Sequence, residues 1–332
     1  MTSSAAPRDR SRPRLGVVLS SGGVRGVYAH AGLLLALDAL GLRPRALAGC
    51  SAGAVTGGIV ASGTPIHQWW DALSGVRPER FWRPAWPRVL WSLLARRGRG
   101  LTGLSDTAGA QAFCLEHMQA RTFEGCSMPF HALAVHLASG RKHVFRHGPL
   151  APAMLASAAM PVLYEPVEID GELYCDGALI ELAPVDAICC QYGLDVLIVH
   201  HAGQRDEGRA GLARAMRQPW TLLEIIGMLL YQRRPWYLTG EPVSLRRCPC
   251  GCGAAVIVLE PDLPPMPWPV TTHGTDVGES ARAQAEAALR PLLPRITGRE
   301  PFPEDAFATS LPPWGEAVAT TCDTREARRH GA

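Results

Sequence analysis

The chain has 332 residues, of which 47% are hydrophobic and 19% are charged, and its formal net charge is +3. This composition is typical of a globular protein with a sizeable core, built as one large α/β domain or two smaller ones, and it excludes a disordered chain. The small net charge and the absence of Lys/Arg runs argue against nucleic-acid binding.

Ten cysteines are scattered along the chain without the even spacing of a secreted disulfide scaffold, so most are expected to be reduced and buried. The polar and basic start of the sequence is unlike a secretory signal. No stretch approaches the roughly 18 uncharged apolar residues of a membrane-spanning helix. These features predict a cytoplasmic protein and leave peripheral contact with a membrane surface open.

Two strand–turn–helix units follow a predicted disordered tail at residues 1–14. The first has a buried strand at residues 15–20, a glycine-rich turn at residues 22–26 and a helix that Gly41 ends. Its glycine spacing fits neither a dinucleotide-binding turn nor a P-loop, and no acidic residue ends the next strand, residues 46–50, where a ribose partner would lie. Two such units in succession predict a parallel sheet covered by helices, with both turns at the carboxyl ends of adjacent strands.

The second turn, GCSAG at residues 49–53, has the G-x-S-x-G pattern of a nucleophile elbow. Gly49 and Gly53 leave room for a strand-to-helix turn so sharp that a Cβ would obstruct it. The turn lifts the Ser51 hydroxyl out of the fold, near a helix N-terminus that favours negative charge. The glycines of the first turn let the backbone come close enough to supply N–H donors for the oxyanion of acyl transfer. Arg25 is either an electrostatic support or anchor of that loop, or a surface arginine at a helix start.

Apolar runs and turn residues predict the remaining elements. Strands are expected at residues 130–135, 142–145, 173–175, 194–199 and 256–259, and helices at about residues 105–119, 184–192 and 280–293. The strand at residues 173–175 places Asp176 at a strand end, where site residues gather in open α/β sheets.

The two turns, together with Asp-Gly-Ala at residues 176–178, resemble the motifs of the patatin-like phospholipases. That family has a G-G-x-R-G oxyanion loop, a G-x-S-x-G elbow and a later D-G-[GA] that carries the catalytic aspartate. Residues 156–161 are similar to its A-S-x-A-x-P stretch, and the resemblance runs in register over about residues 15–200. Ser21 departs from the pattern, because the family often has another glycine there, which concerns only the geometry of the loop.

The resemblance implies a three-layer α/β/α fold with a mainly parallel central sheet flanked by helices. It also implies a serine acyl hydrolase that cleaves ester bonds of phospholipids or related lipids through an acyl-enzyme, with no metal or organic cofactor. A Ser-Asp dyad would carry the reaction, the aspartate taking the serine proton and later activating water. The implied site residues are the nucleophile Ser51 and the base Asp176, the oxyanion loop of Gly22, Gly23, Val24, Arg25 and Gly26, and the motif residues Gly49, Gly53, Gly177 and Ala178.

Two other functions fit part of the pattern. One is a Ser-Asp-His triad of the α/β-hydrolase type, in which His200, His201 or His273 follows Ser51 and Asp176 in the required chain order. That fold places several strands before its elbow, whereas here the elbow follows the second strand. The other is a catalytically silent lipid-binding scaffold on the same fold, against which the intact motifs argue. An idle serine or an ordinary Asp-Gly turn is disfavoured once the three motifs are taken together.

Residues 64–103 form an unusual insertion rich in tryptophan and arginine. Prolines 78, 84 and 87 prevent one long helix. Interleaved tryptophans and arginines suit a lipid headgroup interface, which predicts peripheral membrane contact through residues 69–99. The alternative is an insertion that covers the core with buried tryptophans, the usual situation for this side chain.

The C-terminal third carries a cysteine-rich turn, with Cys248, Cys250 and Cys252 in C-x-C-x-C spacing. Thiolates hold zinc well, but this spacing crowds three ligands and no fourth is evident nearby, so a thiol-bearing turn is favoured and metal binding stays open. We expect a catalytic domain over residues 15–296, with a variable lid-like region at 205–255. Residues 297–332 are expected to form a loose tail.

Overall fold

The structure is a computed structural model, and it describes residues 13–203, 216, 235–266 and 271–308. The predicted N-terminal tail lies outside them except for its last two residues, and most of the predicted lid-like region lies outside as well. The division into domains stays a prediction.

The described chain alternates strands with helices, as the sequence indicates. The strands are β1 (Leu15–Leu19), β2 (Ala46–Cys50), β3 (Gly103–Ser105), β4 (Phe130–His136), β5 (Arg141–Phe145), β6 (Val162–Tyr164), β7 (Val167–Ile169), β8 (Glu172–Asp176), β9 (Val196–His200), β10 (Val243–Arg247) and β11 (Ala255–Leu259). The α-helices are α1 (Gly23–Ala39), α2 (Ala52–Ala61), α3 (Ile66–Ser74), α4 (Trp86–Arg96), α5 (Ala108–His117), α6 (Leu150–Ala158), α7 (Gly274–Leu289) and α8 (Leu293–Ile296). Short 3-10 helices lie at Pro78–Arg80, Gly177–Leu179, Val185–Ala187, Arg290–Leu292 and Glu304–Ala306.

One large sheet organises the fold, in the strand order β10-β11-β9-β1-β2-β4-β8-β7, with β5 also paired to β4. Its five central strands, β11, β9, β1, β2 and β4, run parallel to one another. The outer strands β10, β5, β8 and β7 pair antiparallel to their neighbours. This arrangement confirms the predicted α/β class with a mainly parallel sheet.

The central strands are continuous apolar runs because both faces of the sheet are covered. Every residue of β1, β2, β9 and β11 is buried, and successive residues point to opposite faces. On one face, Val17 belongs to the core shared with α1, α2, α3, α6 and α7. On the other face, Val18 packs with Ile188 and Tyr237. The helix predicted at residues 184–192 is wrong in extent, because only the 3-10 turn Val185–Ala187 forms there.

The helices α1 and α7 lie against each other closely enough that glycine is needed at their contact. A Cβ on Gly32 would lie 2.1 Å from the carbonyl oxygen of Gly278. A side chain at this position would force the helices apart. The two helices therefore form a tight layer over one face of the sheet.

The Trp/Arg-rich insertion divides into α3, a 3-10 turn and α4, as its prolines predict. Trp69 has no exposed surface and lies in the core, so the predicted membrane contact is wrong for this residue. Trp86 and Trp91 on α4 are 45% and 67% exposed. The insertion therefore covers the core with one helix and presents tryptophans outward on the other.

The helix predicted at about residues 105–119 begins later than expected. Gly103 pairs with Val162 in the small β3–β6 sheet. A Cβ on Gly103 would lie 2.2 Å from the carbonyl carbon of Tyr164, so the pairing fits only glycine. The helix α5 starts at Ala108, whose N–H donates to Asp106 Oδ1 at 3.1 Å. A contact distant in sequence thus overrides a local helix signal.

Part of the predicted loose tail packs against the edge strand β10. The amide of Ala308 donates to the carbonyl oxygen of Leu245 at 2.9 Å. The guanidinium of Arg247 lies 3.8 Å from the ring centroid of the buried Phe307. Residues 307 and 308 are thus held by cation–π contact and a backbone hydrogen bond.

Candidate active site

The site lies where two strands end against the same edge of β4. Because β5 pairs with residues 132–136 of β4, it occupies one edge of that strand. The parallel strand β2, with Cys50 opposite Leu133, and the antiparallel strand β8, with Asp176 opposite Ala134, must share the other edge. Their carboxyl ends therefore meet, and the first residue after β2 lies beside the last residue of β8.

That first residue, Ser51, sits on a sharp turn between β2 and α2. Its φ of 53° and ψ of −116° are sparsely populated by residues with a side chain. A Cβ on Gly49 would lie 2.3 Å from the carbonyl oxygen of Gly53, and one on Gly53 would lie 2.2 Å from that of Leu19. The turn therefore accommodates only glycine at positions 49 and 53, as the sequence predicts.

Ser51 and Asp176, which we call the Ser–Asp pair, are joined directly. The serine hydroxyl donates to Asp176 Oδ2 at 2.7 Å, and Asp176 Oδ1 accepts from the Ala178 amide at 2.9 Å. A Cβ on Gly177 would lie 2.4 Å from the carbonyl oxygen of Leu133, so glycine is required after the aspartate. Both carboxylate oxygens are therefore oriented, one of them toward the serine.

Burial changes the basicity of this carboxylate. Asp176 is 1% exposed, and desolvation raises its pKa to about 7, although the hydrogen bonds from Ala178 and Ser51 act in the opposite direction. An aspartate in water, with a pKa of about 3.9, is a weak base. The buried carboxylate is a better proton acceptor near neutral pH, which is what direct activation of a hydroxyl requires.

The end of α6 supports the pair from behind. The Ser51 amide donates to Ser157 Oγ at 2.9 Å, and the Asp176 amide donates to the carbonyl oxygen of Ala159 at 3.0 Å. The sequence signalled this stretch through its A-S-x-A-x-P pattern but did not indicate either contact. The segment fixes the backbone on both sides of the Ser–Asp hydrogen bond.

The glycine-rich turn at the start of α1 packs on the start of α2. A Cβ on Gly26 would lie 2.9 Å from the Ala52 Cβ, and Gly23 has a φ of +59°. The first N–H groups of a helix have no acceptor within it. Those of Gly22, Gly23 and Val24 donate to no backbone carbonyl of the described residues. Two helix N-termini thus converge beside the serine, where they favour negative charge.

Ser20 anchors this turn to its surroundings. Its carbonyl oxygen accepts from the Gly53 amide at 3.1 Å, and its hydroxyl oxygen accepts from the Ala202 amide at 2.9 Å. Arg25 Nη2 donates to the carbonyl oxygen of Ala202 at 3.2 Å, so this side chain acts as a loop anchor. Ser21 is buried, and its amide donates to the carbonyl oxygen of Leu182 at 2.8 Å.

The histidines considered for a triad lie elsewhere. His200 Nδ1 is 2.8 Å from His30 Nδ1, and His201 Nδ1 is 3.3 Å from the Tyr237 hydroxyl, while His273 is exposed at the start of α7. Burial lowers the pKa of His201 to about 4 and that of His200 well below its ordinary value. Within the described chain, no histidine hydrogen-bonds to the Ser–Asp pair. The geometry therefore favours a dyad over the triad alternative.

A separate group of thiols lies at the opposite end of the strands. The Sγ atoms of Cys189, Cys248, Cys250 and Cys252 all lie within 4.8 Å of one another. The sequence did not reveal Cys189 as a fourth member, because it is distant along the chain. Among the described residues, this is the group suited to holding a metal ion, and it is not part of the Ser–Asp site.

The sheet and the Ser–Asp pair define an α/β protein whose candidate site is a serine elbow beside an aspartate at the end of a neighbouring strand. Residues 17–188, more than half of the chain, match the patatin-like phospholipase family. The chain belongs to this family.

Its relatives match over part of their length. The chain is 33% identical over 181 residues to an uncharacterized NTE family protein of Mycobacterium tuberculosis, covering 54% of this chain and 47% of that protein. It is 28% identical over 201 residues to lysophospholipase NTE1 of Cryptococcus neoformans, covering 58% of this chain and 11% of that enzyme. The match thus spans about half the length of the mycobacterial relative.

Two solved structures show remote likeness. VipD from Legionella pneumophila has a TM-score of 0.42 and 14% identity, covering 85% of this chain and 67% of that chain. Human GIVD cytosolic phospholipase A2 has a TM-score of 0.47 and 13% identity, covering 88% of this chain and 60% of that chain.

Proposed function

We propose that the protein is a serine acyl hydrolase that cleaves carboxylic ester bonds of phospholipids, lysophospholipids or related lipids. The observation that carries this proposal is the 2.7 Å hydrogen bond from the Ser51 hydroxyl to Asp176 Oδ2 on a strained elbow. Membership of the patatin-like phospholipase family and likeness to a fungal lysophospholipase support an ester of this class.

In the proposed reaction, the Ser51 oxygen attacks the ester carbonyl carbon while its proton passes to Asp176. The carbonyl oxygen gains negative charge beside the N–H groups of Gly22, Gly23 and Val24, which act as the oxyanion hole. The bond to the leaving alcohol then breaks, and the alcohol takes the proton from Asp176. Water attacks the acyl-enzyme and gives a proton to Asp176, which returns it to the serine oxygen as the fatty acid leaves.

The test of this proposal is the variant Ser51→Ala, with Ser139→Ala as the matched control on the exposed β4–β5 turn. We expect Ser51→Ala to lose activity by roughly 10⁴-fold or more and to lose labelling by a fluorophosphonate probe, because the nucleophile is removed. The control should keep both. Phospholipids, lysophospholipids, triacylglycerols and p-nitrophenyl esters form the substrate panel. Hydrolysis by folded Ser51→Ala at the wild-type rate would contradict the assignment of the nucleophile.

We further propose that the enzyme contacts an anionic membrane surface through an apolar face of α4, which we call the α4 surface. Its members are between 45% and 83% exposed: Trp86, Leu90, Trp91, Leu93 and Leu94. Exposed cations surround it on the same helix and the following turn: Arg88, Arg96, Arg97 and Arg99. Apolar side chains of this kind partition into the lipid interface, and the arginines can pair with phosphate. Every helix in the described ranges is too short or too polar to cross a bilayer.

The helix α4 and the residue Trp82 before it contact the segment that follows Ala159. Arg88 Nη2 lies 2.5 Å from Glu165 Oε1, and Trp82 Nε1 donates to the carbonyl oxygen of Leu163 at 3.3 Å. Both partners follow closely after Ala159, whose carbonyl oxygen accepts from the Asp176 amide. Membrane contact through α4 would therefore bring lipid close to the proposed reaction. The cytoplasmic location stays a prediction.

Vesicle sedimentation tests the α4 surface. The double variant Trp91→Ala/Leu94→Ala should bind anionic vesicles at least tenfold more weakly, since each large apolar side chain contributes about 1.5–3 kcal/mol when buried. Leu137→Ala is the matched control, because Leu137 is 41% exposed on another part of the surface. Wild-type binding should weaken with salt. Equal sedimentation of the double variant and wild type, or none by wild type, would contradict this contact.

A further inference from the structure

The cysteine-rich turn between β10 and β11 meets the segment that precedes β9. The Sγ atom of Cys250 is 3.1 Å from that of Cys248 and 3.5 Å from that of Cys189, and Cys252 completes a set within 4.8 Å. Four thiolates around one tetrahedral zinc ion, with Zn–S bonds of about 2.3 Å, would have their sulfur atoms about 3.8 Å apart. The two separations of 3.1 and 3.5 Å are slightly shorter than this value, and the whole set lies within about 1 Å above it.

We propose that Cys189, Cys248, Cys250 and Cys252 bind one zinc ion as a structural tetrathiolate site. Four protein ligands fill the coordination sphere and leave no position for water or substrate, which is typical of structural zinc. Thiolate donors select zinc over magnesium or calcium, which prefer oxygen ligands. The site is independent of the proposed ester hydrolysis.

The turn is built in a way that brings alternate side chains together. Pro249 and Gly251 separate the three cysteines of the turn, and Gly253 follows the last one. Gly251 and Gly253 have φ values of +75° and +79°, a conformation that side chains disfavour. The Cys248 amide donates to the carbonyl oxygen of Ala254 at 3.2 Å and closes the loop. The crowded C-x-C-x-C spacing, which argued against a metal, is therefore compatible with three ligands whose sulfur atoms converge.

The fourth ligand comes from the interior. Cys189 is 1% exposed and Cys248 is 6% exposed, and both pack in the core on the second face of the sheet. Cys190 is adjacent, and its Sγ lies 3.1 Å from that of Cys250, so its contribution needs a separate variant. A metal here would bind the edge hairpin to the chain that leads into the central strand β9.

The position of the site indicates a structural rather than a catalytic role. The thiols lie beside the first residues of β9 and β11, Val196 and Ala255, whereas the Ser–Asp pair lies beyond the opposite ends of the parallel strands. Four residue steps of about 3.3 Å separate the two ends of such a strand by roughly 13 Å. Loss of the metal should therefore lower stability without removing a reacting group.

Metal analysis of the full chain tests this proposal. Protein made in zinc-supplemented medium, purified without a metal-affinity column or chelator, should contain one zinc per chain. Cobalt substitution should give the thiolate charge-transfer and tetrahedral ligand-field absorption bands. The folded variants Cys248→Ser and Cys252→Ser should hold zinc at least tenfold more weakly against a chelating dye, whereas Cys126→Ser should bind it like wild type.

Several results would contradict the zinc site. A zinc content below about a tenth of an equivalent in zinc-loaded wild type would overturn the proposal. So would a disulfide among the four cysteines in protein that was purified with a reductant. One tightly held zinc in Cys248→Ser/Cys252→Ser would place the metal elsewhere and overturn it too. Loss of zinc from Cys190→Ser but not from Cys189→Ser would overturn the assignment of Cys189. Because wild-type metal content needs no variant, a variant that fails to fold does not decide the result.

Discussion

Replacing Asp176 by asparagine is expected to stabilise the fold above neutral pH while it removes activity. Burial raises the pKa of Asp176 from 3.8 to about 7. Between these values the folded chain keeps a proton that the unfolded chain has released, so the folded state binds more protons. The free energy of unfolding of the wild type therefore falls as pH rises through this interval, and the loss is complete above the folded pKa. Asparagine carries no charge at any of these pH values.

The size of the effect follows from the shift. Three pKa units, at 1.36 kcal/mol each, correspond to about 4 kcal/mol between the fully protonated and fully ionised limits, and to about 3 kcal/mol between pH 5 and pH 8. Asparagine can keep both contacts of the aspartate. Its oxygen can accept from the Ala178 amide, and its NH₂ group can donate to the Ser51 oxygen, since a hydroxyl can also act as acceptor.

Urea unfolding of wild type and Asp176→Asn at pH 5 and pH 8 measures this prediction. The stability of the variant relative to wild type should rise by about 3 kcal/mol from the lower to the higher pH. Glu181, whose pKa burial also raises to about 7, is present in both proteins and cancels in the difference. The exposed Asp170→Asn is the matched control and should show no such rise. A relative stability that does not change with pH would refute the reasoning.

Two further predictions concern how the serine is activated. We expect activity within about tenfold of wild type, or about 1.4 kcal/mol in the barrier, for each of the folded variants His200→Ala, His201→Ala and His273→Ala. The reason is that none of these rings hydrogen-bonds to the Ser–Asp pair. Loss of a triad histidine would instead lower kcat by several orders of magnitude. The rate should rise with pH through about 7 as Asp176 ionises. The midpoint should stay in place in His201→Ala, and a shift or loss of the ionisation in kcat/KM profiles of that variant would point to the imidazole instead.

The motifs could be located from the sequence because each reflects a local backbone requirement. Gly49, Gly53 and Gly177 each stand where a Cβ would lie less than 2.5 Å from a main-chain atom, so the pattern of glycines directly reports the turns. The parallel pairing of the adjacent strands β1 and β2 also follows from two successive βα units. By contrast, the pKa of Asp176 is raised because the whole fold buries its carboxyl group, and a local motif cannot predict that burial.

The features that escaped prediction all depend on contacts between distant parts of the chain. Ser157 accepts a hydrogen bond from the Ser51 amide. Cys189 lies close to the thiols of the β10–β11 hairpin, although β9 and β10 separate them along the chain. Gly103 pairs with Val162 although its neighbours favour a helix start. Phe307 is buried by a strand that the sequence did not reveal. In each case tertiary packing overrides the local pattern.

Some energetically unfavourable features of the described chain lie at the Ser–Asp pair or on segments linked to it. Ser51 has a positive φ, and so does Val162 on the segment that follows Ala159. Val162 is β-branched, and a positive φ is a true outlier for such a residue.

A buried histidine pair provides a second unfavourable feature. The carbonyl oxygen of Ser20 can only accept a hydrogen bond, so His30 Nε2, 2.7 Å away, donates to it, and His30 Nδ1 must then accept from His200. His200 Nε2 is then a buried acceptor without a partner among the described residues. Together with the buried carboxylate, these features lower the stability of the fold. Strain and unpaired polar groups persist only when the surrounding packing over-determines them, and they are expected at a site that is held ready for reaction. The buried carboxylate also explains why the Asp176→Asn variant should gain stability as it loses function.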